Sequence, residues 1–157
     1  MSNDSYLTWN SQSGVSSTSA MLRSLDATNI SLGTNSGVNG TADVYTLYSF
    51  GHDTGVDGYL QCGSYTGTSG TLAVALGWKP QFLLVKIRSF TGSWIYGYSL
   101  KGIVPAPTPT DQLSYLDAAG ATFNADYIDF TSTGFEVKGI LNTSTRVYDY
   151  MAIREAA

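Results

Sequence analysis

The sequence has few of the residues on which most enzyme mechanisms and metal sites depend. Its 157 residues include one His and one Cys, and charged residues amount to only 13%. A single Cys excludes an intramolecular disulfide and a zinc site built from several cysteines. The lone His52 is the only imidazole base available to a nucleophile, and its turn-like surroundings, residues 51–55, fit a solvated or capping role better. We therefore predict no enzyme activity, no catalytic residues, no metal and no cofactor.

Positive charge and long apolar runs are also scarce. Eight Lys and Arg against twelve Asp and Glu give a net charge of −4, whereas nucleic-acid binding requires a clustered basic face. No run approaches the roughly 20 apolar residues that span a bilayer. The start, Met-Ser-Asn-Asp-Ser, lacks the basic and apolar regions of a signal peptide. We expect no nucleic-acid partner, no membrane partner and no export.

What the sequence does contain is typical of short strands joined by tight turns. It has 17 Gly and 11 Tyr, and aromatic residues make up 13%. The most apolar run, residues 81–88, is predicted to be a central strand. Seven or eight short strands indicate a sandwich or barrel, and we predict an all-β fold: an antiparallel, jelly-roll-like β-sandwich over residues 43–157. The predicted strands are 43–50, 59–65, 71–76, 81–88, 93–100, 126–130, 135–140 and 146–153.

Residues 1–42 differ from the rest and are predicted to form an extended N-terminal arm. They are mostly Ser, Thr, Asn and Gly with three charged residues, and residues 20–27 are their only helix-like stretch. Isolated apolar anchors cannot fold such a segment alone, and ordering each residue costs roughly 1–2 kcal/mol. We predict that the arm binds a neighbouring surface; the alternative is that it wraps over its own domain. The predicted partner contacts are Tyr6, Leu7, Trp9, Met21, Leu22, Leu25, Ile30 and Leu32.

One long interruption, residues 104–124, separates the predicted strands. Pro105, Pro107 and Pro109 favour an extended start. Residues 111–120 then fit one helical turn with an acidic N-cap and a closing Gly. A long excursion in a small domain is usually functional or packs at an interface, and an inert surface crossover is the alternative.

Aromatic residues on one strand are the candidate ligand surface. Trp94, Tyr96 and Tyr98 share one parity, so they lie on one face of the predicted strand 93–100. Aromatic rings on a flat β-surface can stack on sugar rings. The same face can equally be part of the core, since Trp is a common core residue.

Acidic residues are the remaining candidates for chemistry. Asp126 and Asp129 are three residues apart, which places them on opposite faces of a strand and argues against a joint catalytic role. Asp149 shares its strand parity with apolar residues. If that face is buried, Asp149 must be paired, with Arg88, Arg146 or backbone donors as partners. We predict that Asp149 is a structural or subunit-contact residue.

The order and spacing of several sequence blocks resemble a domain of tailed-bacteriophage structural proteins, found in many environmental and marine phages, including cyanophages. The resemblance covers roughly residues 45–155. The chain departs from this family in lacking a large upstream domain and in reading Ile-Tyr-Gly-Tyr after Trp94, where relatives carry an acidic or amide residue. The matching blocks are 61–67 (QCGSYTG), 76–86 (LGWKPQFLLVK), Gly92-x-Trp94, 128–130 (IDF), 134–135 (GF) and 148–154 (YDYMAIR).

The resemblance implies a virion structural protein, located in the particle and assembled in the host cytoplasm. Together with the arm and the low charge, it suggests a capsid decoration or cement protein that clamps onto the major capsid protein, contacts other virion proteins and forms a homotrimer. The alternative is a tail-fibre or receptor-binding module that recognises glycans, through Trp94, Tyr96 and Tyr98 or through residues 104–124.

Overall fold

The computed structural model describes residues 5–9, 11–18, 21–55, 57–103, 111–118 and 122–156. Within these ranges the regular structure is mostly β-strand. The helical pieces are short, namely α1 (Ser36–Asn39) and two 3₁₀ turns, Ser99–Lys101 and Gly139–Asn142. The strands are β1 (Ser5–Tyr6), β2 (Ser16–Ser17), β3 (Leu22–Leu25), β4 (Ile30–Leu32), β5 (Leu60–Thr66), β6 (Leu72–Ala75), β7 (Pro80–Ile87), β8 (Trp94–Tyr98), β9 (Gln112–Tyr115), β10 (Thr122–Asn124), β11 (Ile128–Thr131), β12 (Gly134–Val137) and β13 (Val147–Arg154).

Two antiparallel sheets form a β-sandwich, so the predicted all-β class and antiparallel sandwich are confirmed. The large sheet has the strand order β10-β9-β8-β7-β13-β5, and the small sheet has the order β11-β12-β6. The apolar strand β7 lies inside the large sheet between β8 and β13. The sandwich strands begin at Leu60, later than the predicted start at residue 43.

The core lies between the two sheets and is built from alternate residues of each strand. Leu83 and Val85 of the large sheet and Phe130 and Phe135 of the small sheet are almost fully buried in one cluster. Tyr148 is also fully buried there, and its hydroxyl donates to the Ile140 carbonyl at 2.8 Å. A buried hydroxyl needs such a partner, so the 3₁₀ turn beside β13 completes the core.

Three sequence-based expectations of local structure were wrong. Residues 43–50, expected as a strand, form none and are exposed throughout. Leu22–Leu25 is strand β3, although residues 20–27 were expected to be helix-like. Gln112–Tyr115 is strand β9 instead of part of a helical turn, because it pairs with β8 and β10. The proline-containing residues 104–110 lie outside the described residues.

The N-terminal residues form small units beside the sandwich. β1 pairs with β2, and β3 pairs with β4. Asn35 is the N-cap of α1, and its side-chain oxygen accepts from the Gly37 N–H at 2.8 Å. None of the helices in the described part of the chain reaches the length and apolarity needed to cross a bilayer.

Candidate interaction site on the outer face of the large sheet

The outer face of the large sheet is apolar and aromatic, with charged residues, Lys86, Arg88 and Asp149, near one end. Because strand side chains alternate, β7 directs Leu83 and Val85 into the core and Leu84 and Lys86 to this face. Cross-strand register aligns Leu84 with Tyr96, and aligns Lys86 with Trp94 on one side and Asp149 on the other. The face therefore runs from an apolar end to a charged end.

Residues 8–9 and 11–15 lie across the charged end, and we call them the strap. The rings of Trp9 and Trp94 are 4.9 Å apart, and the Trp94 Nε1–H donates to the Thr8 carbonyl at 3.0 Å. Further along, the Val15 N–H donates to the Arg88 carbonyl at 2.8 Å. A Cβ on Gly14 would lie 2.8 Å from that same carbonyl oxygen, so this approach requires glycine.

Lys86 lies beneath the strap and binds it through hydrogen bonds. Lys86 is fully buried, and its ammonium donates to the Gln12 carbonyl at 3.0 Å and to the Gly92 carbonyl. Burial lowers the pKa of Lys86, and the negative charge of Asp117 partly opposes this shift. A buried cation is tolerated only when its donors are satisfied, so carbonyls of the strap help to solvate Lys86.

Asp149 lies beside Lys86, and of the partners considered for it, Arg88 is the one in contact. Its Oδ1 is 3.6 Å from the Arg88 Nε, and its side chain is about three-quarters buried. The other oxygen, Oδ2, is buried and makes no hydrogen bond within the described residues. Burial raises the pKa of Asp149, while Arg88 lowers it by less. Asp149 is thus an incompletely solvated carboxylate next to the strap.

Replacing Asp149 by asparagine should stabilise the protein at neutral pH. A carboxyl group whose pKa is raised by folding stabilises the folded state at low pH and loses that contribution as pH rises through its folded pKa. Asp149→Asn removes this penalty, so its midpoint in urea should exceed that of the wild type at pH 7. The difference should shrink as the pH falls towards 4. A lower midpoint for the variant at pH 7 would contradict the assigned role of burial.

A shallow apolar groove of about 190 Å³ remains open beside the strap. Trp9 and Phe50 border it on the solvent side, and Leu84, Met151 and Tyr150 belong to the sheet. Trp9 is still 51% exposed. The strap therefore covers only part of the outer face.

Trp94, Tyr96 and Tyr98 lie together on the outer face, not in the core, but they do not form one open platform. Trp94 is buried beneath Trp9. Tyr96 is partly exposed and stacks at 6.0 Å on Phe82. Tyr98 is also partly exposed, and the Lys101 ammonium lies 5.3 Å from its ring centre.

The eight predicted arm anchors have different environments, and none of them is fully buried. Trp9 contacts the sandwich of its own chain through the strap, which is the alternative arrangement considered for the arm. Leu25 in β3 is 67% exposed, and Leu32 in β4 is exposed as well. Partly buried positions are taken by Tyr6, Leu7, Met21, Leu22 and Ile30.

His52 and Cys62 are close, but their contact is structural. The Cys62 backbone N–H donates to the His52 Nδ1 at 3.0 Å. Burial raises the pKa of the Cys62 thiol, which lowers the fraction of reactive thiolate at neutral pH. The imidazole therefore serves as a hydrogen-bond acceptor at the edge of β5, and the Cys62 thiol is not activated.

A second group of charges lies where the small sheet approaches the start of β9 in the large sheet, and sequence reasoning missed it. Asp126 and Asp129 both contact the Lys138 ammonium, at 2.8 and 2.5 Å. The expectation that they lie on opposite faces was wrong, because Asp126 precedes β11, which begins at Ile128. Carboxylate oxygens of Asp111, Asp126 and Asp129 lie within 4.8 Å of one another. We call Asp111, Asp126, Asp129 and Lys138 together the carboxylate cluster.

The carboxylate cluster is a buried electrostatic unit. Asp111 and Asp129 are almost fully buried. Burial alone disfavours the Lys138 ammonium, yet hydrogen bonds to Asp126 and Asp129 hold the pKa of Lys138 above its usual range. Three carboxylates at this distance form an oxygen-rich set of the kind that binds Ca²⁺, but the Lys138 ammonium already contacts two of them.

The chain belongs to the family described as "Domain of unknown function (DUF7483)", which matches residues 1–157. No curated protein and no solved structure matches the chain.

Proposed function

We propose that this member of the family is a structural protein of a bacteriophage virion that decorates the capsid and stabilises it by binding major capsid subunits. The N-terminal residues provide the contacts in this proposal, and the sandwich provides the rigid body. The similarity of the strand blocks to phage structural proteins supports the choice of particle. Many weak contacts spread over several subunits would reinforce the shell.

The observation that supports the proposal most strongly is that the exposed apolar side chains are concentrated in the N-terminal part of the chain. Of the fourteen large hydrophobic residues exposed in the described part of the chain, ten lie between Trp9 and Tyr59. Large exposed apolar patches on soluble proteins typically mark interaction sites. The N-terminal third therefore has the composition of a binding segment, while the sandwich keeps most of its apolar residues inside.

The strap affects how this proposal is tested. Deleting residues 1–42 would remove Trp9 and uncover both Trp94 and Lys86, so lost binding would be mixed with lost stability. The exposed anchors Leu25 and Leu32 lie outside the strap, in the β3–β4 unit. Substituting them leaves the strap contacts in place.

The double variant Leu25→Asp, Leu32→Asp should lose capsid binding while the sandwich stays folded. Two charges in a docked apolar contact must be desolvated, and we expect at least a tenfold weaker affinity, equivalent to about 1.4 kcal/mol. Binding is measured by co-sedimentation with expanded capsids of the encoding phage that lack this protein. Leu100→Asp is the matched control, since Leu100 is 92% exposed on the sandwich. Equal binding by the double variant and the wild type would contradict the arm contact.

A glycan-binding fibre or receptor-binding module is the second candidate. The partly exposed rings of Tyr96 and Tyr98 on the outer face favour it, since aromatic rings stack on sugars. A glycan array of host surface polysaccharides separates the two functions. A capsid decoration protein is expected to bind none of them, whereas a receptor-binding module should bind at least one, and Tyr96→Ala should weaken that binding.

A further inference from the structure

The edge of the large sheet at β5 is long and unprotected. β5 has seven residues (LQCGSYT) and pairs with β13 without a bulge. Natural sheets protect such edges with lysine, proline, bulges or very short strands, and β5 has none of these. The other sheet edges, at β10, β11 and β6, are only three or four residues long.

Part of this edge has unpaired backbone groups. The Leu60 carbonyl accepts from the Asp53 N–H at 2.9 Å, and the Cys62 N–H donates to His52. Because successive residues of a strand point their backbone groups in opposite directions, Ser64 must also point away from β13. Within the described residues, neither the Ser64 N–H nor its carbonyl makes a hydrogen bond.

The same chain carries a segment suited to pair with this edge. Residues 43–50 (DVYTLYSF) are rich in β-branched and aromatic residues, the composition of a strand. They form no strand, and Val44 is 98% exposed while Leu47 is 64% exposed. A strand-forming segment without a ladder and a strand edge that is unpaired at Ser64 are thus present together.

The chain's own geometry keeps the two apart. Residues 52 and 53 reach β5 only at its beginning, where the His52 imidazole occupies the acceptor position for the Cys62 N–H and ends the pairing. The other end of the segment is held away, because the Tyr45 hydroxyl donates to the Ser36 carbonyl at 2.6 Å. The open end of β5 is therefore left for another molecule.

We propose that residues 43–50 of a second copy of this chain add to the β5 edge, so that the large sheet continues from one copy to the next. This is strand addition, in which backbone hydrogen bonds hold an extended segment on a sheet edge. Every copy donates one segment and accepts one, so a closed oligomer satisfies all copies. This interface uses residues 43–50 and the β5 edge, whereas the capsid contact is tested at Leu25 and Leu32 of the β3–β4 unit, so each proposal can fail without the other.

Ser64→Pro tests the edge. Proline removes only the outward N–H of Ser64 and spares the pairing of β5 with β13, and edge strands tolerate it in that position. The purified full chain should be oligomeric by native mass spectrometry and light scattering. Ser64→Pro should raise its dissociation constant about tenfold or more. The matched control is Ala73→Pro, since Ala73 also points its N–H outward, from the edge strand β6 of the small sheet.

Leu47→Asp tests the segment. The residue is exposed in the single chain, so this substitution leaves folding unchanged and should shift the oligomer towards monomer. Leu25→Asp, at an equally exposed residue, should leave the oligomer intact. This pair also separates the two proposals, because the Leu25 change acts on capsid binding and the Leu47 change acts on self-association.

Three results would overturn the proposal. One is a wild-type chain that stays monomeric across the micromolar range. Another is an oligomer that neither Ser64→Pro nor Leu47→Asp weakens. The third is a monomer in which the amides of residues 43–50 are protected from hydrogen exchange, because that protection would mean that the segment pairs within its own chain.

Discussion

Replacing Lys138 by methionine should lower the free energy of unfolding by about 3–5 kcal/mol. Asp129 is 2% exposed, and its Oδ2 is held by the Lys138 ammonium at 2.5 Å. Removing the cation leaves a buried carboxylate without its counter-charge, which costs far more than an exposed ion pair is worth. Urea unfolding at pH 7 measures the loss.

Two further variants identify the cause of that loss. Lys138→Arg keeps the charge and should retain most of the stability, within the limits of the space available. The double variant Lys138→Met, Asp129→Asn removes both charges of the pair and should recover part of what the single variant loses. A single variant within about 1 kcal/mol of the wild type would show that Asp129 does not depend on Lys138.

Replacing Trp94 by alanine should cost about 3–5 kcal/mol and release the strap. Trp94 is buried, it supports the Trp9 ring, and its Nε1–H holds the Thr8 carbonyl. Hydrogen exchange of the Val15 amide, which donates to Arg88 in the folded chain, should become faster relative to core amides. Both the stability loss and the local release are therefore expected from one substitution.

Trp94→Phe separates packing from hydrogen bonding in the strap. It keeps a ring beneath Trp9 and removes the Nε1–H donor, so it should cost only about 1 kcal/mol. If Trp94→Ala leaves the Val15 amide as protected as in the wild type, the strap is held mainly by Lys86. Such a result would contradict the expectation that Trp94 is needed to hold the strap.

Local sequence patterns predicted much of the sandwich. The strand predicted at 81–88 corresponds to β7, and the strand predicted at 146–153 corresponds to most of β13. Both were predictable because a strand inside a sheet is rich in apolar residues. Residues 111–120 misled the prediction, since an acidic start and a final glycine fit a helix locally. Pairing of Tyr115 with Ile95 in β8 decided otherwise, and such tertiary pairing overrides local propensity.

The candidate site was predictable only in part. Strand parity and the need to pair a partly buried charge predicted that Asp149 has a partner, but they left Arg88, Arg146 and backbone donors open, and the structure places Arg88 there. The strap did not follow, because carbonyls that solvate Lys86 leave no pattern in the sequence. The carboxylate cluster was missed because its members are brought together by a strand start at Ile128, and strand boundaries are the least predictable feature of a fold.

The segment 43–50 shows the opposite case. Its composition predicts a strand, yet residues 43–50 pair with no strand in the described part of the chain. The discrepancy is physically informative, because β-propensity expresses how well side chains fit a pleated and half-buried surface. The proposed addition to the β5 edge of a second copy would supply such a surface.

The copy number of this protein in purified particles of the phage that is proposed to encode it tests the central proposal most directly. Quantitative mass spectrometry of the particle against the major capsid protein provides it. A capsid decoration protein should be present in several hundred copies, in a fixed ratio to the shell subunits. A few to a few dozen copies would place the protein in the tail or a fibre, and its absence from the particle would contradict a virion role altogether.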